Sequence, residues 1–354
     1  MRTVGRMLRW AFFMVSAIAL YLVTVALIPG FPEPRQPFPS RPRDRDEGRS
    51  EALYTKQAVR IKVSRAPKAN EYVRGWFYLP LSVSSPVACV VMAHGLGGTV
   101  AAGLEPYARR FAAAGYAVLA FDYRHFGSSD GQPRQLIWIP TQLEDWQAAV
   151  RYAREHKDID ASRIALWGTS LSGGHVVTIA SEDHAIACIS AQCPGLDGHE
   201  TAELGFRKMG WRSGVRMVIH AQRDLARSWL HQSPHKIPIV GKSGTTALMA
   251  SEEAWNAMRA LAPENYVNEA CARIAIRGDK YRPVKKALHV RCPALLQICE
   301  YDEFTPVSVS EEAARSMGDL AQVKRYPINH FDIYFGEYFD AAVGDQLAFF
   351  STYL

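Results

Sequence analysis

The chain has 354 residues, of which 48% are apolar and 21% charged, the balance of an ordinary globular protein. Six cysteines (Cys89, Cys188, Cys193, Cys271, Cys292 and Cys299) show no CxxC, no paired spacing and no Cys/His cluster with zinc spacing, which argues against a disulfide framework. The net charge of +6 sits in residues 195–288, with 15 Lys/Arg against 9 Asp/Glu; such a segment attracts anionic substrates, carrier proteins or lipid headgroups, or is simply a solvated face, and no nucleic-acid-binding motif accompanies it.

In chain order, Arg2, Arg6 and Arg9 precede Trp10–Ile28, 19 residues without a charge, closed by Pro29-Gly30. At 1.5 Å per residue this run just spans a hydrocarbon core of ~30 Å. A cleavable signal has a shorter apolar region and a small-x-small site, and Ala26-Leu-Ile-Pro-Gly-Phe offers a poor one. Residues 1–30 are therefore expected to be a single membrane anchor. Arginines on both sides leave its orientation open. Residues 31–55 are rich in proline (Pro32, Pro34, Pro37, Pro39, Pro42) and then in charge, and read as a linker.

Strands follow at Ala58–Val63, Tyr72–Leu79 and Val87–Ala93. The last is unbroken apolar sequence, as in a strand covered on both faces. It runs into His94-Gly-Leu-Gly-Gly98, where glycines let backbone approach a ligand. By position in such a loop, the Leu96 amide is a candidate oxyanion donor. A helix is predicted over Leu104–Ala114 and a strand over Ala117–Phe121. Asp122, at the strand end, reads as a loop organiser pairing with Arg124 or with backbone amides. Gln142–His156 carries helical spacing.

Arg163–Val176 is the stretch on which the rest depends. Ile164–Trp167 reads as a buried strand, Gly168 is small, Ser170 follows, and residues 172–174 are small before an apolar helix. A serine at a sharp strand-to-helix turn is a nucleophile elbow. Its hydroxyl stands clear of the sheet, and the Leu171 amide at the helix start points where an oxyanion would form. Ser172 stands where glycine is usual, so it remains a rival nucleophile one register later.

Ala185–Ala191 is another buried strand. From 196 to about 290 the strand–helix alternation fails. Met209, Trp211, Met217, Trp229, Met249, Trp255 and Met258 are scattered among basic residues, as in an inserted cap whose apolar residues form its own core and part of a pocket wall. Alternation returns with Pro293–Cys299 and then Asp302, which is placed to orient an imidazole; Glu300 and Glu303 compete for that role. Val323–Tyr326 is a last strand, His330 lies in the loop after it, and Phe339–Tyr353 is a closing helix. His94 is the rival histidine, and its place beside the oxyanion loop argues for a structural hydrogen bond.

The order Ser170, Asp302, His330 matches the strand-order logic of a Ser–Asp–His triad. Ser170 needs a base, His330 must take and return its proton, and Asp302 must fix the tautomer. With these elements in order, the chain resembles the α/β-hydrolase superfamily over about 56–194 and 291–354. Phe121–Gly131, Leu166–His175 and Asn329–Tyr334 resemble the polyketide transferase/thiohydrolase group, related to dienelactone hydrolases and acetyl xylan esterases. That resemblance implies cutting or transferring acyl chains held as thioesters, on a small-molecule or carrier-bound substrate, with no metal or organic cofactor.

The expected architecture is thus α/β: a doubly wound, mostly parallel sheet (56–194 and 291–354) with an inserted cap (195–290), preceded by one transmembrane helix and a linker. The expected activity is serine-dependent cleavage or transfer of an acyl ester or thioester. A non-catalytic ligand-binding member of the fold and a prolyl-type peptidase are the alternatives.

Overall fold

A computed structural model describes residues 2–27, 34, 38, 53–63, 70–81 and 86–354. Most of the predicted linker, and the Pro29-Gly30 stop, lie outside the described residues. Helix α1 (Arg2–Leu27) contains an 18-residue stretch, Trp10–Leu27, of mean hydropathy 2.2. It is long and apolar enough to cross a bilayer, and an N-terminal signal sequence meets the same test.

Eight strands form one sheet: β1 (Tyr54–Lys62), β2 (Tyr72–Pro80), β3 (Val87–Ala93), β4 (Ala117–Asp122), β5 (Ile159–Thr169), β6 (Cys188–Gln192), and later β11 (Ala294–Cys299) and β12 (Ala321–Tyr326). Their spatial order is β1-β2-β4-β3-β5-β6-β11-β12. β2 pairs antiparallel with both its neighbours and every other pairing is parallel. Helices α2 (Glu105–Ala113), α3 (Ile139–Glu155) and α4 (Leu171–Glu182) connect the early strands. Such crossovers place helices on both faces, so the central strands must be apolar throughout. β3, β6 and β11 are buried at every position.

Between β6 and β11 the chain leaves the sheet. A long helix, α5 (Gly198–Trp229), is broken by Gly210, whose φ of 74° is non-helical. Short strands follow: β7 (Lys236–Ile237) pairs with β10 (Ala270–Cys271), and β8 (Val240–Gly241) with β9 (Met249–Ala250). Helices α6 (Glu252–Leu261) and α7 (Ile274–Arg277) complete the segment. After β11, α8 (Val307–Met317) leads to β12, and α9 (Gly336–Tyr353) closes the chain. One linker residue is tied to this segment: the Phe38 ring packs edge-on to Trp255 at 5.4 Å and against Tyr266 at 5.5 Å.

Because ligands gather where strand order reverses, the topology itself selects a location. β3 has β4 on one side and β5 on the other, so the loops after β3 and β5 diverge there.

Under the elbow, His175 of α4 is fully buried, with Nδ1 2.7 Å from Tyr281 Oη and Nε2 3.0 Å from Gln142 Oε1. Burial, aided by repulsion from His94, drops its pKa to about 3. An unfolded chain would bind this proton first, at the ordinary 6.5, so the contribution of His175 to stability is complete above that value. It is lost as pH falls from 6.5 toward 3, at up to about 1.4 kcal/mol per pH unit. Denaturant midpoints at pH 7 and pH 5 measure this loss, and His175→Gln is expected to flatten it. An unchanged acid slope in that variant would assign the sensitivity elsewhere.

Candidate active site

β5 delivers Ser170 directly. Its φ of 55° and ψ of −123° put a non-glycine residue in a strained region that persists only when its surroundings fix it. They do: Ser170 N donates to Gln192 O at 2.9 Å, and Ser170 O accepts from Gly173 N (2.9 Å) and Gly195 N (2.7 Å). Crowding explains the small residues around it. A Cβ on Gly168 would come within 2.2 Å of Ser172 O, and one on Gly174 within 2.3 Å of Gly195 O.

Ser172, the rival, is fully buried as the second residue of α4. Its hydroxyl makes a short hydrogen bond with Tyr123 Oη, which in turn accepts from Trp146 Nε1 at 2.7 Å. Its Cβ therefore has a place to go, which accounts for a serine at a position usually left to glycine.

The loops after β11 and β12 bring two further groups to Ser170. His330 Nε2 is 3.2 Å from Ser170 Oγ, and His330 Nδ1 is 2.6 Å from Asp302 Oδ2. The carboxylate is itself held: Oδ1 accepts from the amides of Phe304 (2.7 Å) and Thr305 (2.8 Å), and Oδ2 from Thr305 Oγ1 (2.6 Å). With Asp302 accepting at Nδ1, the imidazole keeps its proton there and leaves Nε2 as an acceptor for the serine hydroxyl. Both side chains are almost wholly buried, 2% and 1% exposed. Burial alone lowers the pKa of His330, but the adjacent carboxylate outweighs it and holds the ring well above the ordinary value. Burial raises Asp302, and attraction to His330 with its hydrogen bonds holds it below the ordinary carboxylate value.

The Leu171 amide opens α4, and among the described residues it donates to no carbonyl. The His94–Gly98 loop lies against the same serine. A Cβ on Gly95 would sit 2.8 Å from Ser170 Cβ and 3.3 Å from Oγ, so only glycine lets the loop approach this closely. Leu96, Leu171 and Ser170 together line a cavity of about 350 Å³. Most of its remaining wall comes from the segment between β6 and β11, including Phe206, Met209 and Met217.

The competing residues stand elsewhere. His94 is buried with Nδ1 2.9 Å from Gly95 O, the structural bond expected of it. Glu300 is exposed and Glu303 pairs with Lys208 at 3.3 Å, so neither meets His330. Asp122 accepts from the Val100 amide at 2.7 Å; Arg124, its other expected partner, instead pairs with Asp145 at 2.6 Å and with Glu71 and Glu144. Of the scattered large residues, Met209, Met217 and Met249 line the cavity and Trp255 and Met258 are buried core. Trp211 and Trp229 do neither: they are 67% and 54% exposed.

Sequence reasoning missed the supports of the site. Glu253 of α6 accepts from the Phe331 amide at 3.0 Å, bracing the histidine loop from 78 positions away. Cys193 carries its sulfur to within 4.8 Å of donor atoms of both Asp302 and His330. These three could hold a soft metal ion, but only by taking the lone pairs that orient the imidazole. Thr305, three residues after Asp302, was the one support with a local signal, since such spacing lets a hydroxyl and an amide close on a carboxylate.

The profile described as the alpha/beta hydrolase family matches residues 90–332. The chain is 39% identical over 277 residues to the quorum-quenching protein AidA of Acinetobacter baumannii, covering 77% of this chain and 89% of that one. It is 31% identical over 180 residues to thiohydrolase aneE of Aspergillus aculeatus, covering 50% of this chain and 54% of the relative. Among solved structures, the alpha/beta hydrolase GrgF from Penicillium sp. superposes with a TM-score of 0.69 at 21% identity, over 84% of this chain and 99% of GrgF, a likeness of fold.

Proposed function

Since the chain belongs to the alpha/beta hydrolase family, we propose that it is a serine hydrolase that cleaves or transfers acyl groups held as esters or thioesters. The observation carrying this reading is the His330 ring between Ser170 Oγ and Asp302 Oδ2. In the first step His330 Nε2 accepts the serine proton as Oγ attacks the acyl carbon. The Leu171 and Leu96 amides stabilise the oxyanion, a contribution of ~3–4 kcal/mol for each such donor. The imidazolium then gives its proton to the departing alcohol or thiol, leaving an acyl-enzyme on Ser170. Water or a second nucleophile, deprotonated by the same ring, releases the acyl group.

In this reading residues 195–290 are a cap that closes over the acyl chain, and the methionine-lined cavity selects apolar substrates. How dry the capped cavity stays decides between hydrolysis and transfer. The names of relatives support the substrate class: thiohydrolase for one, and polyketide transferase for a second, from Aspergillus fumigatus, 28% identical over 49% of this chain and 55% of its own. Helix α1 tethers the enzyme to a membrane.

The test is labelling of the full-length folded protein with a fluorophosphonate, followed by peptide mapping, alongside turnover of esters and thioesters of graded chain length. Ser170 is expected to carry the label, and medium or long chains to be preferred over acetyl. A folded protein that takes no label would favour a non-catalytic ligand-binding role, and faster turnover of an aminoacyl-proline amide would favour a peptidase.

A further inference from the structure

After the break at Gly210, α5 restarts with Trp211, Val215, Val218 and Ile219 at helical spacing, so they share one stripe. All four face water, at 67%, 46%, 42% and 43% exposure. A run of large apolar side chains left uncovered marks an interaction surface. The next member of the stripe says what lies beside it. Gln222 Oε1 accepts from Tyr21 Oη of α1 at 2.8 Å, and the neighbouring Arg223 and Arg227 donate to the carbonyls of Val25 (2.7 Å) and Ala26 (2.9 Å). The stripe thus runs up to the end of the apolar helix α1, whose own Trp10–Leu27 stretch is only 6% buried.

Charge follows the same face. Arg212 and Arg216 are exposed beside the stripe, and among the described residues neither pairs with a carboxylate. Arg212 lies over the Trp211 ring at 5.3 Å. A tryptophan and apolar stripe flanked by free arginines, lying level with a helix able to span a bilayer, has the composition of a segment seated among lipid headgroups. A second copy of the chain would fit less well, because its Arg212 and Arg216 would meet their own kind. An acidic carrier protein would match the charge but not the continuity with α1.

We infer that the Trp211–Ile219 face of α5 docks on an anionic membrane surface, next to the point where α1 enters it. The cavity wall includes Val218, a member of this face that is 42% exposed, so the cavity and the docked face share a side chain. An acyl chain could then pass from the bilayer to Ser170 without crossing water. This consequence for substrate delivery rests on the hydrolase reading; the docking itself does not.

All six cysteines are buried, so a fluorophore on V215C reports that site alone. The full-length protein, reconstituted in phosphatidylcholine vesicles with and without phosphatidylglycerol, is expected to show a blue-shifted label quenched by spin-labelled lipids, most strongly with the anionic lipid. A label on S351C, at the far end of α9, is expected to stay water-exposed. The R212E/R216E double variant is expected to reduce quenching at 215 severalfold while leaving turnover of a water-soluble short ester unchanged. An unquenched, solvent-exposed label at 215 in both vesicles would overturn the inference. So would a blue shift that disappears when labelled protein is diluted at fixed lipid, since that marks a second copy as the occupant. Repeating the measurement with S170A separates the two readings: quenching that survives there, with ester cleavage absent from every variant, refutes the hydrolase proposal and leaves docking standing.

Discussion

Ser170→Ala is expected to reduce kcat for ester cleavage by a factor on the order of 10⁴–10⁶, the size of loss that follows removal of a nucleophile acting in concert with its base. Alanine keeps the Cβ, and the bonds from Gln192, Gly173 and Gly195 that hold the turn are all made by backbone, so the variant is expected to fold. Ser172→Ala is the informative contrast. It cuts the hydrogen bond to Tyr123 inside the core and leaves His330 untouched, so a modest loss of stability with activity within about tenfold is expected. If Ser170→Ala retained activity while Ser172→Ala abolished it, the nucleophile would be one register later and the mechanism wrong. Initial rates with an activated ester, on protein checked by thermal melting, decide it.

Asp302→Asn is expected to cost about 10⁴ in kcat, and for a different reason. The amide presents N–H to Nδ1 of His330, which drives the neutral ring to carry its proton on Nε2. That nitrogen then faces Ser170 Oγ as a donor and cannot accept its proton. The pH profile separates this effect from a loose histidine. In the native protein the carboxylate holds His330 above its ordinary pKa, so kcat/KM rises with pH through a midpoint above 6.5 as the ring loses its proton. Without the negative charge of Asp302 a main opponent of burial is lost and the midpoint moves to lower pH. A midpoint that does not move would mean that His330 is not the titrating base.

Both predictions concern residues that the sequence already marked, and the reason is local. The strain of the elbow demands small residues on either side of Ser170, and a completely buried parallel strand demands an unbroken apolar run, so these elements write their signatures into a few consecutive positions. The polar start of β5 does not: Ala161–Arg163 is exposed, and the register with β3 jumps from Val87–Ile159 to Cys89–Ile164, so this span carries neither an apolar run nor a regular pairing. The choice between Ser170 and Ser172 also needed coordinates, because both hydroxyls satisfy the pattern and only direction separates them. Glu253, Cys193 and Tyr334 could not be found at all by spacing. Tyr334, for example, holds Thr169 at 2.6 Å from a loop 165 positions on. Trp211 and Trp229 were expected to be core or pocket wall, on the rule that large apolar residues seek the interior; both proved exposed, on the helix that lies against α1.

Phe38 gives the chain ahead of the first strand a second hold on the body. Its ring is seated on Trp255 and Tyr266, while Tyr21, Val25 and Ala26 of α1 are bonded to α5. Eleven residue steps separate Leu27 from Phe38, which stretch to about 40 Å at most. Were α1 released from α5, its C-terminal end would still be confined to that radius of Phe38.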